Sequence, residues 1–496
     1  MKLKALTDGL KIEKLNGSLD VEILDLAYSS KNVSEGTLFF ALRGESVDGH
    51  DYVHDAVGKG AKAVISEREV DVPDGVTNAV IKKSRDAMAE VAARFFEEPS
   101  GSMTLIGITG TNGKTTITYM LESIFREAGM NPGVIGTIDY RFAGKVLKAS
   151  HTTPESIDLQ RIFRKMVDAG CDSCVMEVSS HALSQNRVEG SQFNSAIFTN
   201  LTPEHMDYHE GMEEYFQAKA ILFEDILERS AKGSAFAAIN FDDSYGRELA
   251  KRCNVKVVGY GIEHGDIKAE QLEVTSNGFK MSIVTPKGSY PIESKMCGKF
   301  NVLNALAAAS VAFKMGIDPS HIAMGIRKLE YVPGRFQSVE NNKGTLVLVD
   351  YAHTPDALEN VLKNAAELAR ARNGKLILVF GCGGDRDRTK RSVMGKIAGE
   401  ISDIALITSD NPRSENPESI INEILDGILD VSEPLSKGYG YEAVCDRREA
   451  IKRAVDISEA KDVIVVAGKG HEDYQILNDK RIHFDDREVL EEFLNK

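Results

Sequence analysis

Met103-Thr-Leu-Ile-Gly-Ile108, followed by Thr109-Gly110-Thr111-Asn112-Gly113-Lys114-Thr115-Thr116, decides how this chain is read. The first run is short, apolar and bounded by turn residues, as a buried strand is. Beyond the glycines, Ile117, Met120, Leu121, Ile124, Phe125 and Ala128 recur at three- and four-residue spacing, and Gly129 stops the pattern. That spacing predicts an amphipathic helix. Strand, glycine loop and helix in this order make a phosphate cradle. Glycines let backbone N–H groups approach phosphate oxygens, Lys114 neutralises charge, and Thr115 can reach a magnesium ion. The helix N-terminus adds its dipole and free N–H groups. The loop departs from the strict eight-residue formula, since Ile108 stands at the first glycine position. Local residues therefore point to ATP.

Working outward, the chain of 496 residues is too long for one ordinary core and suggests about three domains. Boundaries are placed at residues 1–98, 99–332 and 333–496, with Glu97-Glu-Pro-Ser-Gly-Ser102 as a linker. The first third has strand-like runs at Thr37–Leu42 and Lys62–Ser66 and a helix over Ser84–Phe96. In the middle, strands are expected at Cys174–Val178, Ala196–Thr199 and Val255–Val258, with an Ala-rich helix over Asn301–Phe313. The last third repeats apolar strands, at Thr345–Val349, Lys375–Phe380, Ile404–Thr408 and Asp462–Ala467, each running into polar or glycine residues. Strands alternating with helices fit a largely parallel sheet with a ligand crevice at its carboxyl edge. The fold class is α/β in three domains, the central one P-loop-like and the last Rossmann-like.

Charge and cysteine content exclude several classes. A formal charge of -15 argues against nonspecific nucleic-acid binding. No run approaches the ~18 apolar residues of a membrane span. Met1-Lys-Leu-Lys-Ala-Leu-Thr7 lacks a secretory core, so a cytoplasmic protein is expected. Six cysteines are too few for a disulfide scaffold, and Cys171-Asp-Ser-Cys174 reads as a strand edge.

Nine further segments, in order, carry a resemblance. They are His151-Thr-Thr-Pro-Glu155, Met176–Gly190 (MEVSSHALSQNRVEG), Asn200–His209 (NLTPEHMDYH), Tyr215–Phe223, Gly334–Gln337, Asp350–Asp356 (DYAHTPD), Gly381–Arg391 (GCGGDRDRTKR), Asp410–Pro417 (DNPRSENP) and Gly468–Gln475 (GKGHEDYQ), together with the phosphate loop. With these the chain resembles the Mur ligase family, which includes folylpolyglutamate synthetases, and looks most like its tripeptide-synthetase branch. The resemblance implies that the ATP γ-phosphoryl group passes to a carboxylate, giving an acyl phosphate that an amine attacks. Alignment, charge neutralisation and desolvation would then supply the catalysis.

Roles follow residue by residue from the same resemblance. Glu177, His205 and Thr115 help hold magnesium, and Lys219 becomes a carbamate with carbon dioxide. Read alone, Lys219 is a snorkelling lysine. Asp207 and His209 are weaker loop candidates. Asn301, with Asn304 on the same helical face, meets adenine, while Arg335 and Asp350 approach ATP. The donor, UDP-N-acetylmuramoyl-L-alanyl-D-glutamate, is read by His151, Thr152, Thr153, Ser179, Gln185 and Arg187. Its uridine part meets Ser30, Glu45, Ser46 and Val47. Here Ser29-Ser30-Lys31 replaces the frequent Asp-Ser-Arg, and His151 stands where relatives use Asn. Asp410-Asn411-Pro412-Arg413 resembles the signature for meso-2,6-diaminopimelate, with Arg413 forked onto the distal carboxylate that lysine lacks. Arg386, Gly468 and Glu472 complete the acceptor set. The expectation is a monomeric ligase of peptidoglycan precursor synthesis. The alternatives are ligation of L-lysine, a folylpolyglutamate-type ligase and a non-enzymatic scaffold.

Overall fold

The computed structural model describes all residues except 45, 46, 207, 432–434, 436–439 and 496. Glu45, Ser46 and Asp207, named above, thus lie outside the described residues. Among the described residues three large sheets succeed one another, with five strands between Lys14 and Val80, eleven between Thr104 and Ser294, and six between Gln337 and Ala467, and a two-stranded hairpin, Tyr474–His483, follows.

In the central sheet the strand Thr104–Thr109 lies between Ser173–Glu177 and Ser195–Phe198, parallel to both. Glu177 pairs with Ile108 and Phe198 with Thr109. Because parallel strands end on the same edge, the phosphate loop, Glu177 and the Thr199-Asn200 turn emerge side by side. Both faces of this parallel part are covered, as buried parallel strands require. Ile117, Met120, Leu121, Ile124 and Phe125 of helix Lys114–Glu127 are fully buried against the Ala-rich helix Lys299–Met315 and helix Pro319–Lys328. The opposite face carries helix Ser156–Asp168 and helix Met212–Ile221, which runs on as a π-helical turn, Leu222–Ile226.

The C-terminal sheet places Leu346–Asp350, Val463–Ala467, Leu376–Phe380 and Ile404–Ile407 next to one another, all parallel. Their carboxyl ends gather Asp350, Gly468, Gly381 and Asp410 on one edge. The sheet's first strand, Gln337–Val339, runs antiparallel. At the junction Phe300 meets Phe336 edge to face at 5.2 Å, so the start of the Ala-rich helix docks on the C-terminal core.

Two additions were not foreseen. The central sheet continues through antiparallel strands Ile267–Thr275, Gly278–Thr285 and Gly288–Ser294 at one end, and Asp139–Phe142 and Lys145–Lys148 at the other. These strands carry Lys, Glu and Ser on their open face and show no continuous apolar run, the signal used for the buried strands.

Candidate functional site

The two sheet edges face each other across a cleft of about 500 Å³. Its floor is the phosphate loop. Gly110 has φ +137° and a Cβ there would stand 1.9 Å from Thr199 Oγ1. Gly113, at φ +90°, would drive a Cβ to 2.4 Å from Asn304 Oδ1. Only glycine fits either position. The Thr111 N–H donates to Asn200 O at 2.9 Å, the Asn112 N–H to Asn200 Oδ1 at 2.9 Å, and Thr199 Oγ1 to Asn112 O at 2.7 Å. The loop is therefore strapped to the neighbouring strand end by the chain's own hydrogen bonds. Lys114 Nζ donates to Gly110 O (2.9 Å) and Thr111 O (2.7 Å). Burial lowers its pKa, against the pull of Glu204 and Glu177. Thr116 also lines the cleft.

Thr115 Oγ1 donates to Glu177 Oε1 at 3.0 Å. The other donors to this carboxylate are the Thr137 N–H at 2.8 Å and Thr137 Oγ1 at 3.0 Å. A hydroxyl and a buried carboxylate beside a phosphate cradle are the hard oxygen ligands that magnesium takes. Among the described residues no group of three His, Cys, Asp or Glu side chains is arranged to hold a metal ion by itself. His205 lines the cleft at φ +59°, its ring edge-on to His181 at 4.7 Å and 3.8 Å from the Glu204 carboxylate. His209 sits behind it, with Nε2 3.0 Å from Ser180 Oγ.

Lys219 is 1% exposed, and its Nζ donates to Gly110 O at 2.9 Å beneath the phosphate loop. Burial, then the charge of Lys114, hold its amine well below the usual lysine range, with Glu204 opposing. A snorkelling lysine would instead keep its ammonium in water, so that local reading is corrected here.

Asn304 lines the cleft, whereas Asn301 stands behind it. Asn301 Nδ2 donates to Cys297 O at 2.7 Å and its Oδ1 accepts from Asn304 Nδ2 at 3.0 Å. Arg335 reaches across from the C-terminal side, its Nη2 donating to Thr115 Oγ1 at 3.3 Å and its guanidinium 4.7 Å from the centre of the Tyr351 ring. Asp350 accepts the Phe336 and Ala352 N–H groups, both at 2.7 Å, and its backbone carbonyl accepts the Gly468 N–H at 3.1 Å. It thus ties the nucleotide cleft to the acceptor loops.

On the donor side, Thr153 Oγ1 donates to Glu177 O (2.9 Å) and accepts the Ser179 N–H (3.0 Å). Thr152 Oγ1 lies 3.1 Å from Thr137 Oγ1. Ser179 Oγ caps helix Ser180–Ser184 through the Ala182 N–H. Arg187 donates to Gln185 Oε1 and to Thr153 O, and pairs with Glu155 at 3.1 Å. Glu155 also takes Arg85 at 3.1 Å, clamping the N-terminal sheet to this wall. The His151 backbone is held by Tyr140 Oη, while its side chain faces solvent. In the N-terminal part Ser30 is buried, its carbonyl accepting Lys59 Nζ at 3.1 Å, and Val47 is half exposed.

The acceptor residues form a second cluster on the C-terminal edge. Arg413 takes φ +51°, and its Nη1 donates to Gly384 O at 2.7 Å. Its backbone joins Ile476 O and the Asn478 N–H, so the loop borders the hairpin Tyr474–His483. Asn411 Nδ2 donates to Glu472 Oε2 at 3.0 Å, and Asn411 Oδ1 accepts the Ile476 N–H at 2.9 Å. Gly468 has φ +112° and a Cβ there would lie 2.9 Å from Asp410 Oδ2. Pro412 O packs against Gly384, where an added Cβ would come within 2.0 Å. Arg386 is exposed, with Nη1 on Asp385 O at 3.2 Å. Burial, then the charge of Asp410, raise the Glu472 pKa, and Lys469 works against them.

Comparison with known proteins fits this geometry. Family models match over residues 22–105 (Mur ligase family, catalytic domain), 108–312 (Mur ligase middle domain) and 334–470 (Mur ligase, glutamate ligase domain). A UDP-N-acetylmuramoyl-L-alanyl-D-glutamate--2,6-diaminopimelate ligase of Geobacter metallireducens is 48% identical, over 99% of this chain and 98% of its own. The chain belongs to the Mur ligase family. A ligase of the same description from Clostridium tetani is 43% identical over 100% of both chains. A solved structure so described aligns at TM-score 0.71 and 32% identity, covering 100% of this chain and 98% of the other. A MurF ligase from Thermotoga maritima, solved with ADP, shares the fold at TM-score 0.61 and 20% identity. This Mur ligase is accordingly an ATP-dependent acid–amino-acid ligase.

Sequence reading of the Mur ligase missed several residues of the cleft. Thr137 holds both oxygens of Glu177 from a turn with no motif of its own. Glu204 lines the cleft. Burial raises its pKa, but Lys114, His205, His353 and Lys219 together hold it below its ordinary value. Its place in Asn200–His205 was the available signal. Asp356 accepts Asn112 Nδ2 at 2.8 Å and Thr202 Oγ1 at 2.6 Å, joining the two sheets. Lys469, wholly buried, sits inside a motif read only for its flanking residues.

Proposed function

We propose that the enzyme joins meso-2,6-diaminopimelate to the D-glutamate side-chain carboxylate of UDP-N-acetylmuramoyl-L-alanyl-D-glutamate, in peptidoglycan precursor synthesis. Residues 1–98 hold the uridine end of the donor, 99–332 the ATP and 333–496 the amino acid. The observation that carries this reading is the Asp410–Arg413 loop facing Glu472 on one sheet edge. An arginine that can fork onto a carboxylate there stands near carboxylates that can take an ammonium group.

A donor carboxylate oxygen attacks the γ-phosphorus, the bond to the β–γ bridging oxygen breaks, and ADP leaves. The acceptor's uncharged amine then attacks the acyl carbon, loses a proton, and phosphate departs. Lys114, Arg335 and the loop N–H groups neutralise the phosphoryl charge and hold it in line. Magnesium, when bound at Thr115 and Glu177 with His205 nearby, supplies further neutralisation of the phosphate oxygens. The uncharged Lys219 amine adds to carbon dioxide and loses a proton, which puts an anionic oxygen pair in its place. Asn304, with Asn301 behind it, meets the adenine.

Both walls of the cleft come from one chain, which supports action as a monomer. No helix among the described residues is long and apolar enough to cross a membrane, and a cytoplasmic site suits a nucleotide-linked donor and ATP. The test is phosphate release by the purified enzyme with ATP, donor and, in turn, diaminopimelate, L-lysine or glutamate. Release is expected to require all three substrates and to favour diaminopimelate by at least ~10²-fold, because lysine leaves Arg413 unpaired. Equal use of lysine would overturn the acceptor assignment, and release without donor would overturn the ligation.

A further inference from the structure

Lys469 has a side chain with no solvent exposure. Its Nζ donates to Tyr474 O at 2.6 Å and to Asn411 Oδ1 at 3.2 Å, and it stands 3.1 Å from Asp410 Oδ1 and 3.9 Å from Glu472 Oε2. One ammonium therefore serves two carboxylates and the amide of the acceptor loop. Burying a lysine this completely is costly unless charge repays it. Two carboxylates against one cation leave a single net negative charge in the cluster, which suits one incoming ammonium.

We propose that Lys469 is a positioning residue of the acceptor site, setting the charge that the amino acid's ammonium group meets and locking Asn411 in register with Glu472. The inference rests on the acceptor reading given above. Without Lys469, Asp410 and Glu472 would face each other unscreened, and one would take up a proton instead of binding an ammonium. The charged and titratable groups around Glu472 are Asp410 on the facing loop, Lys469 and Tyr474 on its own loop, Tyr351 beyond strand Leu346–Asp350, and Arg447 on helix Arg447–Ile457. Lys469 is hydrogen-bonded to Asn411, beside Asp410 on the facing loop, and Asn411 in turn donates to Glu472. Arg447 is engaged by Asp486 at 2.7 Å.

A sign follows for pH. Lys469 works to lower the Glu472 pKa against burial and Asp410. Removing it lets that pKa rise, so the acid limb of kcat/KM for the acceptor moves to higher pH.

The experiment compares wild type, Lys469→Met, Lys469→Arg and Lys469→Met/Glu472→Gln, varying the acceptor or ATP in turn with the other substrates saturating. Lys469→Met is expected to raise the acceptor KM by ~10²-fold and leave the ATP KM within about twofold. It should also shift the acid limb upward by at least ~1 pH unit. Lys469→Arg should restore the wild-type limb, and the double variant should lose the acid limb altogether because the titrating carboxylate is gone. An unchanged limb in Lys469→Met, or equal rises in both KM values, overturns the proposal. If Lys469→Met fails to fold, the double variant decides, since it no longer buries two unscreened carboxylates. Folding with the limb absent supports the proposal, and a wild-type limb overturns it. Failure of wild type to use diaminopimelate would instead defeat the acceptor reading itself.

Discussion

The phosphate loop and the acceptor pocket are both built at the carboxyl edge of a parallel sheet, yet they obtain their geometry differently. Seven consecutive residues, 110–116, make the first, and its bonds run mostly to backbone carbonyls and to one adjoining turn. The second draws on loops after three strands, 381–391, 410–417 and 468–475, held by buried side-chain charges. A backbone cradle binds what every nucleotide shares. Charge pairs brought from distant parts of the chain can distinguish one amino acid from another. The difference also predicts which site tolerates change, because a buried pair that loses one partner leaves an uncompensated charge.

The contrast is tested hardest at Lys219. Lys219→Ala should lower turnover by ~10³-fold or more with folding intact, since its amine lies under the phosphate loop and, among the described residues, forms no ion pair with a carboxylate. Added formate or acetate should restore part of the rate. Full turnover of the variant without a small carboxylate would remove Lys219 from the chemistry.

On the acceptor side, Arg447 and Asp486 are both fully buried, and Arg447 Nη2 also holds Ala467 O at 3.0 Å, just before Gly468. Arg447→Met should cost about 3–5 kcal/mol in urea unfolding, with Arg447→Met/Asp486→Leu recovering most of it. A single variant as stable as wild type would show that the pocket does not depend on this pair. Arg413→Ala should raise the diaminopimelate KM by ~10²-fold while sparing the ATP KM. Parallel changes in both constants would erase the separation of the two sites.

The smallest effect concerns pH. The Arg391 hydrogen bond, aided by the Asp385 N–H, holds the Glu415 carboxyl at about 2 although its ordinary value is 4.5. A lowered carboxylate pKa contributes stability above the unfolded value and loses it as pH falls through the folded one. The stability gap between wild type and Glu415→Gln should therefore narrow as pH drops below about 4.5 toward about 2. A gap that stays constant between about pH 5 and about pH 3 would show that the pair is not what anchors the acceptor loop.

Contiguous features were readable in advance. Helix Lys114–Glu127 follows its apolar spacing, and the four apolar runs of the last third are strands of one sheet. The antiparallel additions were not, since their half-exposed strands lack a continuous apolar signature. Among site residues, Glu177 and Thr115 could be named from motifs, but Thr137 could not. Its bonds to Glu177 exist only because strand Pro132–Ile135 lies beside Ser173–Glu177.

Sequence by itself determined the glycine positions of the phosphate loop, the burial of the strands beside it and the residue types that suit phosphate and carboxylate. These depend on spacing over a few residues and on φ angles that only glycine adopts cheaply. The tertiary structure decided that Lys219 lies buried beneath Gly110, that Asn304 and not Asn301 reaches the cleft, and that Lys469 joins Asp410 to Glu472. Charge–charge and desolvation effects depend on distance in space, which strand order sets and local spacing does not record.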